Sequence, residues 1–308
     1  MAVTPELEAV RSRLRAVRHG ADTPGGDAAV PARAGGPVAS RSAADPTDAL
    51  HGLPDIAIET VEVVGRPACW VACEAAATDR ALVYLSGGSC GAGTPDGHLR
   101  LCARLARVLR ARVLLLGHAE PFESPFLARV DTAVGAARWL SGQGLGGPRT
   151  VIAGAGAGGG VAIAAVVALR EEGGSLPAAV VALSPWVDLT CRGDSYRTRA
   201  DVDLVWRPGE LREAAALLAT GTNASDPRVS PIDADLCGMP PVLVQVGTDE
   251  ILLDDSVRLH ERLRAAGTDG VLEAWDDMPH GFQFFEDLPE SSESLARIAA
   301  FVTRQCHT

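Results

Sequence analysis

The chain has few aromatic residues, no long apolar run, no clustered cations and no paired-cysteine motif, and each absence narrows what it can be. Aromatics are 4% of its 308 residues while apolar residues are 47%, so a sizeable core must be built from Ala, Val and Leu. The longest apolar run, Val161 to Leu169, is far too short to span a bilayer and reads as a buried helix. A net charge of −11 argues against a nucleic-acid or anionic-membrane surface, since both need grouped Lys and Arg. The seven cysteines are odd in number and scattered, with no C-x-x-C or Cys/His zinc pattern, so reduced thiols and no metal site are expected. The first residues, with Glu6, Glu8, Arg11, Arg13 and Arg15, lack the apolar core of a signal peptide, and a cytoplasmic protein is the simplest expectation. No cofactor is implied.

What is present is a regular alternation. Leu7, Val10, Leu14 and Val17 recur at helical spacing, predicting a short amphipathic helix within residues 1–19. Residues 20–53 are rich in Gly, Ala, Pro, Ser and Asp without periodicity and read as a flexible linker. Ile56, Ile58, Val61 and Val63, then Ala68 to Cys73, predict an antiparallel hairpin. Strands follow at 81–85, 112–116, 150–153, 178–183, 242–246 and 271–275, separated by helices at 99–109, 126–140, 158–172 and 254–266 and closed by one at 293–305. Short apolar strands alternating with helices predict a mostly parallel sheet covered on both faces, with its site along the rim formed by the strand C-terminal ends. The core would comprise residues 54–189 and 235–308, interrupted by an insertion at 190–234.

Four rim loops carry the candidate chemistry. The first, Ser86-Gly87-Gly88-Ser89-Cys90, has consecutive glycines after a strand, which can turn backbone N–H groups toward a developing oxyanion. It can equally be an ordinary Gly-rich turn. The second, Gly154-Ala155-Gly156-Ala157-Gly158-Gly159, lies between a strand and a helix. That is the setting of a nucleophile elbow, G-x-S-x-G, with both flanking glycines present and Gly156 in place of the serine. The same run also fits G-x-G-x-x-G, but no carboxylate follows the next strand until Asp188, which disfavours a dinucleotide site. The third loop carries Asp249 and Glu250, and the fourth Pro279-His280-Gly281-Phe282. Asp249 and His280 form the pair that orients and charges an imidazole, in the chain order nucleophile, acid, base.

These motifs resemble the hormone-sensitive-lipase branch of the α/β-hydrolase superfamily, in which HGGG supplies the oxyanion hole, GDSAGG the nucleophile, D-E-x-L-x-D-D the acid and PHxF the histidine. The corresponding stretches here are Ser86 to Ser89, Gly154 to Gly159, Asp249 to Asp255 and Pro279 to Phe282, with a family-like Leu183-Ser184-Pro185-Trp186-Val187-Asp188-Leu189 between them. The resemblance implies an α/β-hydrolase fold with a helical cap, formed by the N-terminal helix and the insertion. Under that cap Trp186 and Trp206 are candidate pocket residues, although aromatics at such places also serve as packing. Phe282 is a candidate substrate contact. Set against the family pattern, the oxyanion histidine is Ser86, the third glycine Ser89, the elbow Asp Ala155 and the nucleophile Gly156.

Glycine at the elbow excludes an acyl-serine there. The remaining inventory is the His280–Asp249 dyad and the N–H groups of Gly87, Gly88 and Ala157, with Ser86, Ser89, Cys90 and Ala155 nearby. The main expectation is therefore a non-hydrolytic enzyme of natural-product biosynthesis that uses the dyad for general acid–base work, such as cyclisation, elimination or isomerisation, on a small carbonyl compound. Two alternatives stand beside it: an inactive pseudo-esterase that binds a small molecule, and a hydrolase using water or a displaced nucleophile among Ser86, Ser89 and Cys90. Gly156→Ser alone is not expected to restore efficient ester cleavage, because the rest of the machinery differs too. The partner is a small molecule, with a homodimer left open. His98 and His260 show no partner pattern and read as surface residues.

Overall fold

In a computed structural model, residues 4–18, 50, 53–87, 95–116 and 124–306 are described. The chain folds around an eight-stranded sheet of order β1-β2-β4-β3-β5-β6-β7-β8. The hairpin β1 (Ile56–Val63) and β2 (Arg66–Cys73) is antiparallel, and β2 joins β4 antiparallel. The other strands, β3 (Ala77–Leu85), β4 (Ala111–Leu116), β5 (Thr150–Ala155), β6 (Ala179–Leu183), β7 (Val242–Gly247) and β8 (Gly270–Trp275), pair in parallel.

Strand side chains alternate between two cores, as a period of two requires. In β3, Ala81, Val83 and Leu85 enter one core while Leu82 and Tyr84 enter the other. In β6, Val180 and Ala182 face one side, and Ala179, Val181 and Leu183 the other. The first core receives α3 (Phe126–Gly142), α4 (Ala157–Glu171) and α7 (Leu253–Ala265). The second receives α1 (Pro5–Arg18), α2 (Pro95–Leu109) and α8 (Pro289–Gln305). Because both faces are covered, the central strands are apolar throughout rather than alternately polar. β5 and β6 are buried at every position. This is the mostly parallel, doubly covered sheet of the α/β-hydrolase fold, as expected.

The differences lie at the element ends. β3 begins four residues before the apolar run, since Ala77 already pairs with Ala111 across a register shift. Helix α8 starts at Pro289, where proline suits the first turn, rather than at 293. Residues between β6 and β7 form no strand but two helices, α5 (Ser195–Thr198) and α6 (Pro208–Leu218). Most of the expected linker at 20–53 lies outside the described residues. Among those described, the cysteines are all free thiols, and no helix is long and apolar enough to cross a membrane.

Candidate active site

The loops after β7 and β8 meet at a buried histidine. His280 is 4% exposed, and its Nδ1 lies 2.7 Å from Oε2 of the fully buried Glu250. The other oxygen of Glu250 accepts from Ser184 Oγ at 2.7 Å and from the backbone N–H of Gly247 at 2.6 Å. A carboxylate with both oxygens occupied has little rotational freedom, so the imidazole it holds is fixed in one tautomer and one plane. Burial works against the imidazolium, but the charge and hydrogen bond of Glu250, with the charge of Asp203, outweigh it and raise the His280 pKa above 6.5.

Asp249 is not the partner of His280, contrary to expectation. Its carboxylate turns the other way and accepts from Arg11 Nη2 at 2.7 Å. Adjacent side chains of a tight turn diverge, and this turn is pinned by its backbone: Thr248 N–H donates to Trp275 O and Asp249 N–H to Met278 O. Arg11 also donates to Asp277 O, so one guanidinium on α1 ties the acid loop to the histidine loop.

Opposite the histidine is the β5–α4 turn. Gly156 has φ 56° and ψ −123°, a left-sided conformation that a residue bearing a side chain adopts only under strain. A Cβ built on it would lie 3.6 Å from His280 Nε2 and 3.8 Å from Cε1, with nothing nearer among the described residues beyond the adjoining ones. Among the described residues the turn is held by main-chain hydrogen bonds: Gly156 N–H donates to Leu183 O, and Gly156 O accepts from Gly159, Gly160 and Trp186. Gly87 comes so close that a Cβ there would stand 2.6 Å from Ala155 O and 3.7 Å from Ala157 N. The backbone of Gly87 thus runs against the elbow, and Ala157 lies in the first turn of α4, where N–H groups have no intrahelical acceptor.

Trp206 stands edge-on to His280, with ring centroids 6.4 Å apart, and its buried indole N–H has no partner among the described residues. Asp203 positions it: Oδ1 accepts from the N–H groups of Val205 and Trp206, and Oδ2 from that of Ile251, next to Glu250. Burial pushes the Asp203 carboxyl up to about 6, with Glu250 adding to the rise and His280 and the backbone donors opposing it.

The remaining expected residues divide. Gly88, Ser89 and Cys90 lie outside the described residues. Ser86 is buried at the end of β3, its N–H on Leu116 O. Ala155 belongs to the core on the α2–α8 side. The ring of Trp186 is core, its indole N–H on Asp188 O, and its backbone N–H donates to Gly156 O at the elbow. Phe282 packs on Trp275, ring centroids 5.3 Å apart. His98 is buried, not on the surface: its Nδ1 lies 3.0 Å from Tyr84 Oη and its ring is edge-on to Phe284. Glu250, Ser184, Asp203 and Arg11 are the residues that reading the sequence missed. The one local signal was Glu250 itself, inside the acidic run already singled out.

Comparison with known proteins fits this geometry. A family model described as alpha/beta hydrolase fold matches residues 82–284. An acetyl-hydrolase of Streptomyces hygroscopicus is 41% identical over 224 residues, covering 72% of this chain and 75% of that protein. The crystal structure of an esterase from the bacterial hormone-sensitive lipase family superposes with a TM-score of 0.84 at 37% identity, covering 99% of this chain and 100% of the other. The esterase EstE5, in a crystal soaked with p-nitrophenyl butyrate, gives 0.82 at 33% identity, with 99% and 100% covered. The protein belongs to the α/β-hydrolase family and is related to its hormone-sensitive-lipase branch. These relatives hydrolyse esters or acetyl groups, which overturns the expectation of a non-hydrolytic biosynthetic enzyme and favours the hydrolytic alternative.

Proposed function

We propose that the protein hydrolyses short-chain carboxylic esters of small molecules by direct attack of water, with His280 as general base and Gly156 standing where relatives of this fold carry a nucleophile. The observation that supports this most is the direction of His280 Nε2, which faces the side-chain position of Gly156 while Nδ1 is held by Glu250. Over Gly156, a water takes the place of a hydroxyl. His280 Nε2 removes its proton as its oxygen bonds to the ester carbonyl carbon. The carbonyl oxygen becomes an oxyanion, to which the amides of Gly87 and Ala157 donate in this reading. Collapse breaks the bond to the alcohol, whose oxygen takes the proton back from His280, leaving the carboxylic acid. Glu250 stays ionised throughout and balances the transient imidazolium. Helix α1 and residues 190–234 serve as the cover of the site, a reading supported by Arg11 and Trp206 reaching its loops.

The test is p-nitrophenyl butyrate turnover with intact-mass sampling during the steady state. Turnover without an acyl adduct, abolished in His280→Ala, is the expected result. An adduct on Ser86, Ser89 or Cys90 would replace water with a displaced nucleophile. Binding without turnover would leave a ligand-binding protein.

A further inference from the structure

We infer that Ser184 is a positioning residue for the reaction, the joint through which the elbow at Gly156 and the His280–Glu250 pair are set in register. The inference rests on the reading of His280 as general base and names a residue on which that base depends. It starts from the backbone. Ser184 follows β6, is fully buried, has φ 44° and precedes Pro185. A side chain in the left-handed region is uncommon, and a residue before proline is ordinarily extended, so Ser184 is strained on both counts. Glycine would take this torsion freely, yet the position carries a hydroxyl. A strained residue persists where its surroundings over-determine it, and such strain collects at functional sites.

The contacts on either side show what the strain secures. Along the main chain, Gly156 N–H donates to Leu183 O at 2.9 Å and Trp186 N–H donates to Gly156 O at 2.9 Å, so the turn around Ser184 grips the elbow at both its polar groups. Pro185 lies against the start of α4, where a Cβ on Gly159 would come within 2.9 Å of the proline Cβ. The side chain reaches the other half of the site. Ser184 Oγ donates to Glu250 Oε1 at 2.7 Å and accepts from Gly281 N–H at 3.4 Å. A hydroxyl has one proton to give and lone pairs to receive; this one gives to the acid loop and receives from the residue after His280. Ser184 N–H is itself held by Gln245 O of β7 at 2.7 Å. Without the hydroxyl, Glu250 Oε1 keeps the N–H of Gly247 but loses its link to the histidine loop, and the carboxylate gains freedom to turn away from Nδ1.

Two variants of the full chain, Ser184→Ala and Ser184→Gly, separate aim from stability. Both lose the hydroxyl, but Ser184→Gly also sheds the strain and should melt at a higher temperature than Ser184→Ala. In both, kcat for p-nitrophenyl butyrate should fall about 10–100-fold, the worth of one hydrogen bond to a charged group expressed as a rate, with KM within about twofold. Long-range proton–nitrogen spectra of the imidazoles, with His280 assigned by its absence from His280→Ala, give a second readout that needs no turnover. Wild type should show His280 as the Nδ1–H tautomer alone, and both variants should gain an Nε2–H population. Wild-type kcat in Ser184→Gly, or a loss carried by KM instead of kcat, would overturn the inference. So would an unmixed Nδ1–H tautomer in both variants. If Ser184→Ala does not fold, Ser184→Gly decides by the same two measurements. Wild-type protein that fails to cleave the ester would remove the hydrolytic reading, while the tautomer comparison still decides the role of Ser184.

Discussion

The β5–α4 side of the site and the β7–β8 side are held by different means. Around Gly156 the hydrogen bonds among the described residues are main chain to main chain, with Leu183, Gly159, Gly160 and Trp186. Around His280 the fixing contacts are side chains: Glu250 with Ser184, Asp203 with Ile251 and Trp206, and Arg11 with Asp249. The first kind of construction is indifferent to the side chain displayed on it, so a turn can keep its shape with nothing to display. The second kind depends on each member, because removing one leaves a buried polar group unpaired.

The largest effect expected from this contrast is on the side-chain half. His280→Ala should lower kcat for ester hydrolysis by about 10²–10⁴-fold, read directly as p-nitrophenol release. Glu250→Gln should be comparable, at up to about 10⁴-fold, since the wrong tautomer is then favoured. Its pH profile adds a sign. Glu250 helps raise the His280 pKa, and neutral imidazole is the active form, so removing the charge should move the acidic limb of activity to lower pH. Stability follows the same linkage: a folded pKa above 6.5 stabilises fully below that pH and fades as pH rises through the folded value. In Glu250→Gln burial is opposed only by the charge of Asp203, so that pH dependence of the urea midpoint should reverse, with stability lost as pH falls. The neighbouring Asp249→Asn should leave the acidic limb in place, and a shift equal to that of Glu250→Gln would erase the distinction between the two carboxylates.

On the backbone half, Gly156→Ala should change stability more than geometry. The positive φ imposes strain of about 1–3 kcal/mol on any side chain, which thermal unfolding will register as a lower Tm. A stability unchanged from wild type would mean that the turn relaxes when loaded. Smallest should be Arg11→Ala. The Arg11–Asp249 pair is only partly shielded, so its loss should cost about 0.2–1 kcal/mol, with a modest fall in kcat as the two loops loosen.

Most of the architecture could be read from periodicity because the strands are apolar on both faces and the helices between them are long enough to repeat. The elbow was legible too, since glycines 154, 156 and 158 mark a turn whose geometry is local. The acid was not. Asp249 and Glu250 are neighbours in a turn, and which one enters the interior is settled by Arg11, distant in sequence, and by Ser184 and Gly247. Nothing in their immediate surroundings distinguishes them. Asp203 was missed for a related reason: a self-capping aspartate looks like any loop residue until the partner loop arrives. The rings of Trp186 and Phe282 are both part of the cores beneath the rim, the packing role that aromatics at such places also serve.

The form of the main chain at Gly156 carries a genetic consequence. Glycine and serine codons can stand a single base apart, and the turn already holds the torsion angles a displayed hydroxyl needs. One point mutation would set an alcohol oxygen beside a waiting imidazole without refolding anything. On this scaffold, covalent chemistry and its absence are thus adjacent in mutational space, while full catalytic speed, which asks for the surrounding loops as well, lies several steps further off.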